Sequence, residues 1–148
     1  MGGRHGEIGV EFVGPLYMYL QTSPIGRIYT EGTHFIVLRE PDVILMPDVA
    51  FVRSDRLPPE ELREGFMPLA PDLAVEVLSP SNRTGEMAEQ VELYLRGGAR
   101  LVWVVQPRRR VVTVHAPGRE AITLHEGDTL DGGEVLPGFT LPVADIFR

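Results

Sequence analysis

Apolar residues recur at helical spacing in two stretches of the chain and form short unbroken runs in several others. From about residue 5 to 21, Ile8, Phe12, Leu16 and Leu20 fall four apart, with Val13 and Tyr17 beside them. That stripe predicts an amphipathic helix. Gly14-Pro15 falls in its middle and predicts a kink or a split, because an interior proline removes a hydrogen bond and crowds the preceding turn. Residues 83–96 predict a second helix with Met87, Val91, Tyr94 and Leu95 on its buried face and Gly97-Gly98 as its stop. Gln90 lies at the flank of that face and from there reaches toward whatever sheet the helix covers.

The unbroken runs predict strands. Residues 27–30 and 35–38 form two, with Gly32 marking the turn between them. The run after Pro47, through Val49-Ala50-Phe51-Val52, is a buried strand, and so is Leu73 to Leu78. Leu101 to Val105 is another, with Val111 to His115 as its hairpin partner. A shorter strand spans 121–124. Residues 125–128 and 131–133 are turns, and Leu136-Pro137-Gly138-Phe139 leads into a tail that docks through Ile146 and Phe147. Residues 53–69 are polar and carry Pro58-Pro59, which predicts a surface loop with one helical turn near residues 59–62. Its length suits a binding loop or lid, although a solvated connection is the commoner case. The whole, residues 1–148, makes one α/β domain with a central sheet and no repeats.

Two acids interrupt this pattern. Glu76 sits inside the run Leu73-Ala74-Val75-Glu76-Val77-Leu78, and Asp48 stands at the start of the run that follows Pro47. An ionised acid in an apolar strand costs several kcal/mol unless a cation, a hydrogen-bond network or a metal meets it. Exposure, or pairing with an arginine, is the plainer explanation of Glu76. Two carboxylates converging from neighbouring strands instead offer an oxygen-rich pocket for Mg²⁺ or Mn²⁺, which can polarise a phosphodiester and generate a hydroxide nucleophile.

Composition narrows the chemistry. There are no cysteines among the 148 residues, which excludes disulfides, cysteine-based zinc sites and cysteine nucleophiles. A cytoplasmic location is the default for such a chain, with no signal-peptide layout and no apolar run near the roughly 18 residues of a membrane span. The net charge of −7 argues against non-specific nucleic-acid binding over the whole surface but leaves room for a local basic groove. All 14 basic residues are arginine.

Pro47-Asp48-Val49-Ala50-Phe51-Val52, Pro71-Asp72-Leu73-Ala74-Val75-Glu76-Val77-Leu78-Ser79-Pro80-Ser81, Tyr94 with Gly97-Gly98, Val102-Trp103-Val104-Val105 with Pro107, and Leu136-Pro137-Gly138-Phe139 occur in that order. Together they resemble the Uma-type restriction endonuclease family, part of the PD-(D/E)XK nuclease superfamily. The likeness covers nearly the whole chain, which opens at the first helix without the longer N-terminal segment many members carry. It implies a restriction-endonuclease-like fold: a central mixed β-sheet flanked by helices, with additional C-terminal hairpin strands. It also implies a Mg²⁺- or Mn²⁺-dependent endonuclease acting on DNA, with Asp48 and Glu76 holding the metal.

The superfamily's lysine normally follows the second acid by two residues, where this chain has Leu78. In the family it usually moves to the next helix, four residues before the tyrosine, where this chain has Gln90. A glutamine can hold a water by hydrogen bonds but brings no charge. Arg83, near the start of the same helix, cannot accept a proton at neutral pH. The superfamily also draws an acid from the first helix; Glu7 and Glu11 are the candidates there, with Glu31 a third on the first strand.

The missing lysine keeps two further readings open. One is a cleavage-deficient relative that binds nucleic acid or a protein; the other is an assembly protein that forms a homodimer through its sheet edge or long loop. His5, His34, His115 and His125 show no zinc spacing and read as surface or core residues. Arg108-Arg109-Arg110 reads as an exposed turn, Trp103 as core and Asp72 as a strand-entry residue.

Overall fold

A computed structural model describes residues 2–82 and 84–148; Arg83 lies outside the described residues. The chain begins with α1 (Gly3–Thr22), followed by β1 (Gly26–Thr30), β2 (Phe35–Leu38), β3 (Val43–Leu45), β4 (Val49–Arg53) and β5 (Leu73–Val77). Then come α2 (Thr84–Gly97), β6 (Leu101–Gln106), β7 (Val111–His115), β8 (Ile122–Leu124), β9 (Thr129–Asp131), β10 (Thr140–Pro142) and α3 (Val143–Ile146). The central sheet has the order β1-β4-β5-β6-β7-β8. Only β5 and β6 run parallel within it, joined by α2 as the crossover.

Alternation along the central strands divides the core into two layers. Val49 and Phe51, Leu73, Val75 and Val77, and Trp103 and Val105 pack on one face with α1 and the C-terminal segment. Ala50 and Val52, Ala74, and Val102 and Val104 pack on the other with α2 and the β2–β3 hairpin. Successive side chains on a strand point to opposite faces. Glu76 therefore faces the α2 side with Ala74, and Asp48 shares that parity with Ala50. The register Val49↔Val75 in the antiparallel β4–β5 pair, continued by one residue, sets Asp48 opposite Glu76. Directly opposed residues stand close enough for their side chains to interact.

Three features depart from the sequence reading. First, α1 is unbroken, with Pro15 inside it. Ile8, Phe12, Leu16 and Leu20 are buried on both sides of the proline, so docking on the sheet holds the two halves in line. Second, Phe35–Leu38 does not pair with the strand before it, which joins β4, but with Val43–Leu45 in a hairpin of its own. The supposed surface loop is stitched to that hairpin, where Met67 accepts from the Ile36 N–H and donates to the His34 carbonyl. Met67 and Ala70 are buried accordingly. Third, the turns near 125–133 enclose a strand, because Thr129–Asp131 pairs with Thr140–Pro142. Three residues are too few to show a period of two.

Asp72 closes the ends of three strands. Its Oδ2 accepts the Arg53 N–H at 2.8 Å and meets Arg56 Nη1 at 2.8 Å, while its carbonyl takes the N–H groups of Arg100 and Leu101. Its side chain is committed to the fold. The tail docks as expected, with Ile146 and Phe147 in the core. The Phe147 carbonyl is gripped by Arg4 Nη2 at 2.9 Å and Arg110 Nη2 at 3.0 Å, so the C-terminus pins the first turn of α1. Arg110 also forms a two-pronged pair with Glu126, at 2.8 and 2.9 Å.

The C-terminal end of α2 approaches β2 so closely that a Cβ at Gly97 would run into the Val37 carbonyl oxygen, whereas one at Gly9, inside α1, would meet nothing. Gly97→Ala is expected to destabilise the protein by about 1–3 kcal/mol through overpacking. Gly9→Ala is expected to stabilise it by roughly 0.5–1 kcal/mol through helix propensity. Urea denaturation of the two variants checks both signs.

Candidate active site

Glu76 is buried in the middle of the sheet, and its Oε2 accepts a hydrogen bond from the Tyr94 hydroxyl at 2.8 Å. The α2 register explains the meeting: Met87, Val91 and Tyr94 lie on one stripe of the helix, and that stripe covers the face to which Glu76 points. Burial pushes the Glu76 carboxyl up to about 8. The Tyr94 hydroxyl opposes that rise, and the Asp48 charge adds to it. The same burial, together with the neighbouring acid, raises the Tyr94 hydroxyl and keeps it a donor.

Asp48 is fixed from two directions. Its backbone N–H donates to the Val75 carbonyl at 3.0 Å, and its Oδ2 accepts the Val77 N–H at 2.7 Å. The carboxylate therefore bridges from the start of β4 to the end of β5, and its Oδ1 faces His5 Nε2 at 3.3 Å. Burial raises the Asp48 carboxyl too, and Glu31 adds to the rise; the Val77 N–H and His5 oppose it. The Asp48 charge helps keep the proton on Glu76.

The structure brings His5 to this cluster, although the sequence reading placed it among surface and core histidines. His5 Nε2 also lies 3.1 Å from the Val77 carbonyl oxygen, and Nδ1 lies 3.9 Å from Glu31 Oε2. His5, Glu31 and Asp48 could hold a metal ion: each offers one donor atom, and the three atoms lie within 4.8 Å of one another. A signal for His5 was present in the sequence. It stands three residues before Ile8, on the same helical face as the buried stripe. Spacing to other histidines could not reveal it, because its partners lie far away along the chain.

Of the three N-terminal acids, Glu31 reaches the cluster, from the turn just after β1 rather than from within the strand. Glu7 is exposed beside Arg4 at 3.5 Å, and Glu11 meets Arg148 at 3.8 Å. Gln90 is half-buried on α2, one turn before Tyr94. Residues four apart on a helix are neighbours, so Gln90 lies one turn from Tyr94 on the same side of α2. The other histidines stand elsewhere: His34 stacks on Phe66 with ring centroids 5.1 Å apart, His125 lies by Asp128, and His115 is on β7. Trp103 is fully buried between Phe12 and Phe139. No described helix is long and apolar enough to cross a membrane.

A six-stranded mixed sheet with helices packed on its faces is the architecture of a restriction-endonuclease-like nuclease fold. A solved structure titled a putative nuclease belonging to DUF820, from Anabaena variabilis, shares it with a TM-score of 0.86. That protein is 23% identical over 99% of this chain and 82% of its own. The model of the Uma2 family, described as putative restriction endonuclease, matches residues 1–144, and the chain belongs to that family. No curated protein matches.

The buried acid gives the site a pH signature. Glu76 ionises at the ordinary 4.5 when unfolded and at about 8 when folded. Between those values the folded state holds more protons than the unfolded chain. The stabilisation from keeping Glu76 protonated is complete below 4.5 and is lost as the pH rises through 8. In a metal chelator, the native protein is expected to lose stability across that window, and Glu76→Gln to show a flatter profile. Denaturation midpoints at several pH values between those limits check this.

Proposed function

We propose that the protein is a divalent-metal-dependent endonuclease that hydrolyses DNA phosphodiester bonds, with Asp48 and Glu76 as its metal-binding acids and Gln90 as the residue that positions water. The observation that carries this reading is the opposed pair of carboxylates, Glu76 buried and Asp48 half-buried, both with raised pKa values. Burial and mutual repulsion make such a pair unfavourable when ionised, and a divalent cation is the counter-charge that relieves both. The donor set is all oxygen, which Mg²⁺ requires and Mn²⁺ accepts: Asp48 Oδ1, the Glu76 carboxylate and the nearby Val77 carbonyl. When bound, the ion supplies Lewis acidity at a phosphate oxygen and lowers the pKa of a water.

The chain's own residues prepare that chemistry. The Val77 N–H holds one Asp48 oxygen and so fixes the direction of the other. The Tyr94 hydroxyl holds one Glu76 oxygen in the same way. Gln90, a turn away on α2, offers a carbonyl and an amide to orient an attacking water but no positive charge to balance the developing phosphorane. The reaction is therefore slow beside that of a lysine-bearing site. An arginine-bearing surface is the remaining source of phosphate contacts, because the chain has no lysine.

Nicking of supercoiled plasmid with Mn²⁺ or Mg²⁺ tests the proposal. The native chain is expected to nick slowly, and Asp48→Ala to lower the rate by at least about a hundredfold. Gln90→Lys is expected to raise it by roughly tenfold or more. Unchanged activity in Asp48→Ala would overturn the assignment. Silence in the native chain with activity in Gln90→Lys would identify a metal site disabled at one residue, in keeping with a relative that binds nucleic acid without cutting it.

A further inference from the structure

His5 is not explained by the all-oxygen site. It lies on the first turn of α1, held in place from outside: its neighbour Arg4 grips the Phe147 and Arg148 carbonyls at 2.9 and 3.2 Å. Its side chain is only 10% exposed, and its ring nitrogens face oxygens. Asp48 Oδ1 stands 3.3 Å and the Val77 carbonyl 3.1 Å from Nε2, with Glu31 Oε2 at 3.9 Å from Nδ1. One Nε2–H cannot serve two acceptors well, and both acceptors lie within 3.3 Å of that one nitrogen.

A divalent ion needs its donors roughly 3–4 Å apart when bonds are about 2.1 Å. The donor atoms of His5, Glu31 and Asp48 all lie within 4.8 Å of one another. Closing that distance falls to Glu31, whose side chain is 53% exposed and free to swing, while His5 and Asp48 are held. The exposed flank at Glu31 is also the side from which an ion can enter.

We propose that His5, Glu31 and Asp48 form a nitrogen-containing metal site that takes a transition-metal ion, Mn²⁺ or a similar divalent cation, in preference to Mg²⁺. The reason is chemical. Mg²⁺ favours oxygen donors and keeps its waters, whereas a first-row transition-metal ion, Mn²⁺ least among them, accepts an imidazole beside carboxylates more readily than Mg²⁺ does. Asp48 is common to this site and to the nuclease reading above, on which the functional meaning of the inference rests. The metal preference itself does not need DNA cleavage to be true.

The test is metal binding by the full chain without nucleic acid. Mn²⁺ and Mg²⁺ affinities are measured by titration, and pulsed electron paramagnetic resonance reads ¹⁴N coupling to bound Mn²⁺. The native protein is expected to show imidazole ¹⁴N coupling that His5→Gln removes. Both His5→Gln and Glu31→Gln are expected to weaken Mn²⁺ by at least about tenfold, and His5→Gln to lower the Mn²⁺/Mg²⁺ preference by a similar factor. A variant with His34, His115 and His125 all changed to Gln keeps His5 as the only imidazole and is expected to retain the coupling, which secures the assignment even if His5→Gln fails to fold. Absence of ¹⁴N coupling in the native protein, its persistence in His5→Gln or its loss in the triple variant would overturn the proposal. If the binding behaves as expected and no metal supports cleavage, the nuclease reading fails while this site stands.

Discussion

Two carboxylates set opposite one another across neighbouring strands, Glu76 buried and Asp48 half-buried, are the constraint around which this protein is arranged. Asp48 and Glu76 are brought face to face by the antiparallel pairing of β4 with β5. Neither is left to choose its position. One oxygen of Asp48 is tied to the Val77 N–H, and one oxygen of Glu76 to the Tyr94 hydroxyl. In an apolar sheet this is an expensive arrangement, and the proton retained by Glu76 is how the metal-free chain tolerates it. A bound cation would favour the ionised form instead, so proton and metal compete for the same oxygens.

The remaining elements hold that pair in place. The parallel β5–β6 connection places α2 on the face to which Glu76 points, and the α2 stripe delivers Tyr94. Asp72 ties the ends of β4, β5 and β6 through backbone contacts and Arg56, which fixes the register from the far end of the same strand. The C-terminal segment, through the Phe147 carbonyl, fixes the turn of α1 that carries His5. Residues separated by most of the chain thus depend on one another at a single point.

Much of this was legible along the chain. The helix stripes at Ile8–Leu20 and Met87–Leu95, the buried runs and the misplaced acids each have a local cause, and local causes can be read locally. The family resemblance implied that Asp48 and Glu76 act together. What could not be read was set by distance in space. His5 acquires its meaning from Asp48, Glu31 and Val77, none within a helical turn of it. Pro15 predicted a break that burial on both sides of it suppressed. β3 and β9, three residues each, carry too few positions for a periodic signal, and their pairing partners alone define them. Gln90 was identified by position relative to Tyr94, and the helix does set it beside that residue; its role is chemical and is decided by rates.

The most direct test of the central claim is the anomalous scattering of crystals grown with Mn²⁺. The account predicts a peak within bonding distance of Asp48 Oδ1 and of a Glu76 oxygen, with the two carboxylates converging on it. The absence of any peak within bonding distance of both acids, or Asp48 and Glu76 side chains turned away from a common point, would contradict it, whether or not a second ion sits by His5.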